Sequence, residues 1–258
     1  MPEINPPADL LVLASAENAD AQCELGIWYA RQGGDEAKVL ASKWLARAAE
    51  AGSARGLYNL GVLELERDRE AARQYFYRAA CEKYVPGMRA LATMARDDRK
   101  DDTALRWFQI AANEGDVLSK FEVAHALMNS ENPDDQTLFF RYASDAAHAG
   151  IPEGQALLAT AFHEGTGTSR SPVDAFRWYL AAAVQQHAGA AAMLGVAYDV
   201  GAGTPENKVQ AAKWILRAAA LQSEIATAYW PRLARELSPD QIEMAKNLAK
   251  RPFTDDDA

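Results

Sequence analysis

The pair Ala-Ala recurs six times along this chain of 258 residues, each time four residues after an aromatic. The aromatics are Trp44, Tyr75, Trp107, Tyr142, Trp178 and Trp214, and the pairs begin at Ala48, Ala79, Ala111, Ala146, Ala182 and Ala218. Successive aromatics lie 31, 32, 35, 36 and 36 residues apart. Self-similarity at this period marks a repeat architecture, in which each unit buries its apolar face against the next. An array of that kind suits a surface for holding other molecules better than a pocket for chemistry.

A second motif precedes each pair: AQCELG (21–26), GLYNLG (56–61), GMRALA (87–92), SKFEVA (119–124), GQALLA (154–159) and AAAMLG (190–195). Each ends in an aliphatic residue followed by Gly or Ala, the small residue standing where two helices must touch. Every unit therefore divides into a helix A, a loop and a helix B that carries the aromatic and the alanines. The spacing from the small residue to the alanines is least in units two and three, which predicts their loops to be the short ones. Seven residues before each aromatic stand Ala37, Asp68, Lys100, Asp135, Ser171 and Asn207. Four of these are N-cap types whose side-chain oxygen can accept from a free backbone N–H. Ser171-Pro172 adds proline at the first helical position, and Asn207 with Gln210 has capping-box spacing. Gly52, Gly115 and Gly150 fall where a helix ends in a left-handed turn. The aromatic and the first alanine, at i and i+4, share one face and predict a knob beside a notch.

These residues resemble the Sel-1-like repeat, a variant of the tetratricopeptide-type helix pair. Its pattern is A-x-x-x-L-G-x-x-Y-x-x-G-x-G followed by D-x-x-x-A-x-x-W-Y-x-x-A-A-x-x-G. Unit six matches with AAAMLGVAYDVGAG and NKVQAAKWILRAAALQ, unit five with GQALLATAFHEGTG and SPVDAFRWYLAAA. Unit one matches at AQCELGIWYARQGG and ASKWLARAAEAG, while units two to four lack the Gly-x-Gly loop. The resemblance implies an all-α, right-handed α-solenoid of about six helix-pair repeats with a C-terminal capping helix, forming a single solenoid domain. The expected bounds are an N-terminal segment over 1–17 with a short capping helix from Asp9, repeats over 18–52, 53–84, 85–115, 116–150, 151–186 and 187–223, capping helices over 224–250 and an acidic tail over 251–258. Pro231 either bends the helix within 224–237 or falls in its first turn. Ser238-Pro239-Asp240-Gln241 is a capping box that opens a helix over 239–250, with Ile242, Ala245 and Leu248 inward.

Composition removes several classes of function. The net charge is -9 with no basic run, which disfavours a phosphate backbone as partner, so no nucleic acid is expected. Cys23 and Cys81, 58 residues apart, make no disulfide framework and are expected to be buried apolar residues. The apolar stretch Leu10–Ala14 is short and has no basic residue before it, and no run reaches the roughly 18 residues that cross a bilayer. No membrane span and a cytoplasmic location are therefore expected.

No constellation points to catalysis, a cofactor or a metal. His163-Glu164 lacks the second histidine of a zincin, since position 167 is Gly, and marks the end of a helix A. The strings Gly165-Thr166-Gly167 and Gly201-Ala202-Gly203 have no Lys-Ser/Thr after them and are repeat loops, not phosphate cradles. A hydrolase built on His163 or His125 finds no triad and no ligand set.

Helix A lines the inner groove in helix pairs of the type this chain resembles. On the face of helix A away from the Leu-Gly positions, residues at i, i+4 and i+7 form one stripe. Its candidate partner-binding residues are Tyr58, Arg89, Thr93, Arg96, Phe121, His125, Met128, His163 and Asp199. Aromatic, Arg and Met side chains are those enriched at protein interfaces. Tyr58 and Phe121 have a plainer alternative, packing under the next repeat. The resemblance implies a non-enzymatic scaffold or adaptor that binds a partner segment along this groove. Arg89 and Arg96 predict that segment to carry acidic as well as apolar residues. The alternative within the same family is an inhibitor or immunity-type protein that neutralises one enzyme or toxin, in a bacterial secretion-system context.

Overall fold

In the computed structural model, which describes residues 6–252, the described chain is helical throughout, with fifteen α-helices and no strand. Six antiparallel-type pairs follow one another: α2 (Ala19–Gln32) with α3 (Asp35–Glu50), α4 (Ala54–Glu64) with α5 (Arg69–Cys81), α6 (Val85–Asp97) with α7 (Asp101–Asn113), α8 (Val117–Leu127) with α9 (Pro133–His148), α10 (Pro152–Glu164) with α11 (Pro172–Val184), and α12 (Ala188–Val200) with α13 (Lys208–Ala220). α1 (Ala8–Ser15) precedes them, and α14 (Glu224–Arg235) and α15 (Pro239–Lys250) follow. This is an all-α solenoid. It divides into two compact units, Met1–Ser119 and Lys120–Ala258. The start of the expected N-terminal segment (1–5) and all but two residues of the expected acidic tail (253–258) lie outside the described residues.

The small residues hold the pairs together. Gly26, Gly61, Ala92, Ala124, Ala159 and Gly195 are all buried. A Cβ on Gly26 would lie 2.6 Å from Leu45, one on Gly61 2.6 Å from Phe76, and one on Gly195 2.7 Å from Ile215. The side chain that fills the notch is thus the residue after the repeated aromatic. Leu45, Phe76, Phe108, Ala143, Tyr179 and Ile215 are buried in all six pairs, whereas Tyr75, Trp107 and Trp178 remain partly exposed. The i and i+4 reasoning put the knob on the aromatic itself. At Gly26, Gly61 and Gly195 the neighbour enters the notch instead, while the aromatics range from partly exposed to buried, as Trp44, Tyr142 and Trp214 are.

The alanine pair faces the next repeat. A Cβ on Gly56 would lie 3.0 Å from Ala48, one on Gly87 3.0 Å from Ala79, and one on Gly154 2.6 Å from Ala146. In these three repeats helix A therefore begins backbone-close to the alanines of the preceding helix B. Ala48, Ala79, Ala111, Ala146, Ala182 and Ala218 are completely buried. A larger side chain at either position would separate the repeats and overpack the seam.

Capping follows chemistry more closely than register. Asp68, Ser171 and Asn207 are N-caps and accept from Ala71, Asp174 and Gln210 N–H groups. Asp135 is not a cap: Asn132 takes that position with Pro133 after it, and Asp135 accepts from the Ser130 hydroxyl at 2.7 Å. Ala37 lies inside α3, whose N-cap is Gly34. The extra residues of the first pair lengthen its helices to 14 and 16 residues, so its loop shrinks to Gly33-Gly34 and is shorter than those of pairs two and three. At the far end Ser238 and Gln241 form a full capping box, Ala245 is buried, and Pro231 stands in the interior of α14. Cys23 is buried as expected, but Cys81 is exposed at the end of α5.

The Gly-x-Gly loops have a packing role. Gly165 and Gly201 close α10 and α12 in the left-handed conformation. Gly167 and Gly203 also have positive φ, and a Cβ there would fall on the carbonyls of Gln136 and Pro172, at the starts of α9 and α11. Each loop rests its second glycine on the backbone of the preceding helix B, which no side chain permits.

Candidate functional site

The nine residues expected to bind a partner divide between the two units. In residues 1–119, Tyr58 is half-buried between Phe76 (ring centroids 5.5 Å apart) and Tyr84 (5.6 Å). It packs under the next repeat, as its plainer alternative had it. Arg89 lies half-buried with its Nε 3.8 Å from Asp116, and the Arg96 guanidinium stands 5.5 Å over the Phe108 ring. Thr93 is exposed between them. Both arginines are therefore already engaged with side chains of their own unit.

In residues 120–258 the first helices of three pairs enclose a cleft of about 530 Å³. Phe121, His125, Met128 and His163, all expected on the stripe, line it together. Phe121 and His125 face each other with ring centroids 6.1 Å apart. Thr160 also lines the cleft, its hydroxyl 3.3 Å from the Tyr179 hydroxyl and 3.0 Å from the Ala156 carbonyl that it donates to. Burial raises the Tyr179 phenol above its ordinary pKa of 10.0, against the lowering effect of Thr160.

The far wall comes from residues outside the stripe. α12 presents Gly189 and Met193, one position along from the row that includes Ala192 and Val196. A helix on the opposite side of a cleft turns its other flank inward, so a single register applied to every helix A misses them. Ile225 at the start of α14 closes the end and is 47% exposed. Glu153 and Glu164, at the two ends of α10, complete the rim. The acid at each end of helix A is visible in the sequence, but its company with Met193 and Ile225 depends on packing.

His187 joins this wall as the N-cap of α12: its Nδ1 accepts from the Ala190 N–H at 3.0 Å. An imidazole can accept there only when that nitrogen carries no proton. Burial lowers its pKa below the ordinary 6.5, with the Glu153 carboxylate acting in the opposite direction.

Asp199 is placed elsewhere. Its side chain is fully buried and held by Lys208 Nζ at 2.7 Å, by the Tyr229 hydroxyl at 2.5 Å and by Arg232. Glu236 accepts from Lys208 at 2.9 Å and extends the network. Burial raises the Asp199 carboxyl, but the hydrogen bonds from Lys208 and Tyr229 and the charges of Lys208 and Arg232 outweigh it and leave its pKa below the ordinary 3.8. This carboxylate fastens α14 to the last pair and is not part of an open surface. The remaining histidine, His148, stacks edge-on against Trp178 at 5.1 Å. Among the described residues no cluster of three or more His, Cys, Asp or Glu side chains is arranged to hold a metal, and no helix is long and apolar enough to cross a membrane.

The pattern of the Sel1 repeat matches residues 19–53, 54–84, 93–116, 152–187 and 188–223, more than half of the chain. The fourth helix pair lies outside these matches. Among curated proteins the chain is 28% identical over 193 residues to the chitin synthase regulator SKT5 of Saccharomyces cerevisiae. That stretch is 66% of this chain but only 28% of the yeast protein. Among solved structures it resembles c5321, a protective antigen of uropathogenic Escherichia coli with an SLR fold (TM-score 0.78, 19% identity, 93% of this chain and 54% of that one). It also resembles a Sel1 repeat protein from Oxalobacter formigenes (TM-score 0.68, 22% identity, 93% and 74%). Sel1 repeat proteins are generally scaffolds for protein interaction. The helix pairs, the small residues at their crossings and these matches agree: this chain belongs to the Sel1 repeat family.

Proposed function

We propose that this protein is a non-enzymatic scaffold that receives a segment of another protein in the cleft of residues 120–258. The observation that carries this reading is the cleft itself. Half-buried Phe121, Met128 and Met193 and the 47% exposed Ile225 bring apolar surface together along one open cleft. Solvent-facing apolar surface beside polar rim groups is the composition of a protein-binding patch. The chemically versatile side chains point the same way, since Asp199 is a structural clamp, His187 a helix cap and His148 a stacking partner.

The test is a photo-crosslinking amino acid at position 121 in the native cell, followed by purification of the captured protein. Its affinity is then measured for wild type and for Met128→Glu with Met193→Glu. Arg177→Glu is the control, because Arg177 is well exposed on α11 and away from the cleft lining. Loss of binding in the cleft variant alone supports the proposal. Equal binding by the cleft variant and wild type overturns it.

A further inference from the structure

We infer that the segment seated in this cleft is basic and apolar: a large apolar side chain flanked by Lys or Arg. The inference rests on the proposal that the cleft is the docking site, and it assigns the chemistry of the occupant. Among the described residues lining the cleft there is no lysine or arginine. Glu153 and Glu164 stand at opposite ends of α10, both exposed, and neither is ion-paired with a lysine or arginine among the described residues. Elsewhere in the same unit carboxylates beside packed surfaces do have such partners. Asp145 pairs with Lys120 at 2.7 Å, Asp174 with Arg177 at 3.6 Å, and Asp199 with Lys208 and Arg232.

The spacing makes the two acids act on one ligand. They are eleven residues apart on one helix, so about 16 Å of helix axis separates them. Between them lies the apolar floor of Ala156, Leu157 and Met193, with Ile225 closing the end. An apolar side chain entering the floor brings its flanking residues over the two rims. A cation there meets an uncompensated carboxylate, and an acid meets repulsion, which sets partner choice more than raw affinity. The two methionines suit a side chain of variable shape, because thioether chains repack at low cost. An acidic segment, the character expected from Arg89 and Arg96, is thereby assigned away from this cleft.

The experiment uses the full chain with methyl-labelled methionine and isoleucine. The probes are two acetylated decapeptides, each with one Leu and one Phe, the first carrying three Lys and the second three Glu in their place. The Lys peptide is expected to shift the Met128, Met193 and Ile225 methyl resonances saturably. Glu153→Gln with Glu164→Gln is expected to weaken it about three- to tenfold. Glu243→Gln on α15, exposed and outside the lining, is the control for the general attraction of an acidic chain and should leave affinity unchanged. If the Glu peptide binds the same methyls as tightly as the Lys peptide, or the double glutamine variant binds like wild type, the basic character is overturned while the cleft remains a docking site. If neither peptide moves these methyls, the docking proposal falls with it.

Discussion

Gly61 on α4 lies directly against the Phe76 ring on α5, so close that a Cβ at position 61 would stand 2.6 Å from the ring edge. Phe76 is 2% exposed, and its ring also touches Tyr58. A side chain at position 61 would therefore have to displace the buried Phe76 ring. Gly61→Leu is expected to destabilise the fold by roughly 1–3 kcal/mol or more through overpacking. The urea midpoint measures it. Phe76→Ala in the same chain should recover part of the loss, since neighbours at one crossing couple. An unchanged midpoint in the single variant would show that the crossing can open freely.

The position eight residues after each repeated aromatic has positive φ in all six repeats. Glycine holds it at 52, 115 and 150, but Lys83 (58°), Gln186 (66°) and Gln222 (63°) hold it in the others. These three accept the left-handed region, where a Cβ crowds the backbone. Gln222→Gly relieves that strain but adds freedom to the unfolded chain, so the expected gain is below about 1 kcal/mol. Gly150→Gln should lose a comparable amount. Thermal melting of the two variants checks the pair, and destabilisation by Gln222→Gly would contradict it.

Asp199 makes part of the acid stability depend on a buried carboxylate. Its folded pKa is depressed, so the stability it contributes is present above the unfolded value and is lost as pH falls through the folded value. The affected window lies below about pH 4. Asp199→Asn should lower stability at neutral pH by about 1–3 kcal/mol, because Lys208 and Arg232 lose their shared anion while remaining able to meet water. It should also flatten the acid limb of the stability profile. Urea titrations between neutral and acid pH decide this; a variant with the wild-type slope would remove Asp199 as the cause.

His187 acts in a different window. Its folded pKa is lowered from 6.5, so the unfolded chain takes up the proton more readily. Stability from this group is complete above the unfolded pKa and is lost as pH falls from there through the folded pKa. Protonation also removes the acceptor that caps Ala190. His187→Asn keeps a cap without a titrating ring, so it should abolish the loss just below pH 6.5. Stability curves of wild type and variant should agree at pH 8 and separate at acid pH; curves that stay parallel would exclude His187.

The array of helix pairs was legible in the residues because every repeat solves the same local problem. A small residue must stand at each crossing, and Gly26, Gly61 and Gly195 recur there at one register with a loop and an aromatic between them. Caps such as Ser171, Asn207 and Ser238 were equally legible, since a side chain that accepts from an N–H two or three residues on depends only on local sequence. Rotation about the helix axis was not. Leu45, Phe76 and Ile215 enter the notches in place of the aromatics before them, a shift of one residue that depends on which flank the neighbouring helix covers.

The candidate surface divides along the same line. Phe121, His125, Met128 and His163 share the cleft because each belongs to a helix A, and their periodic stripe is written in the sequence. Met193, Tyr179 and Ile225 join them from another flank, another helix type and the capping helix, which only packing brings together. Asp199 has the same register as His163, yet it is buried by Tyr229 and Arg232 from α14, 30 and 33 residues later. A repeat pattern specifies what faces its own neighbours in sequence. Which positions stay open to a partner is decided by the elements that end the array, and these do not repeat.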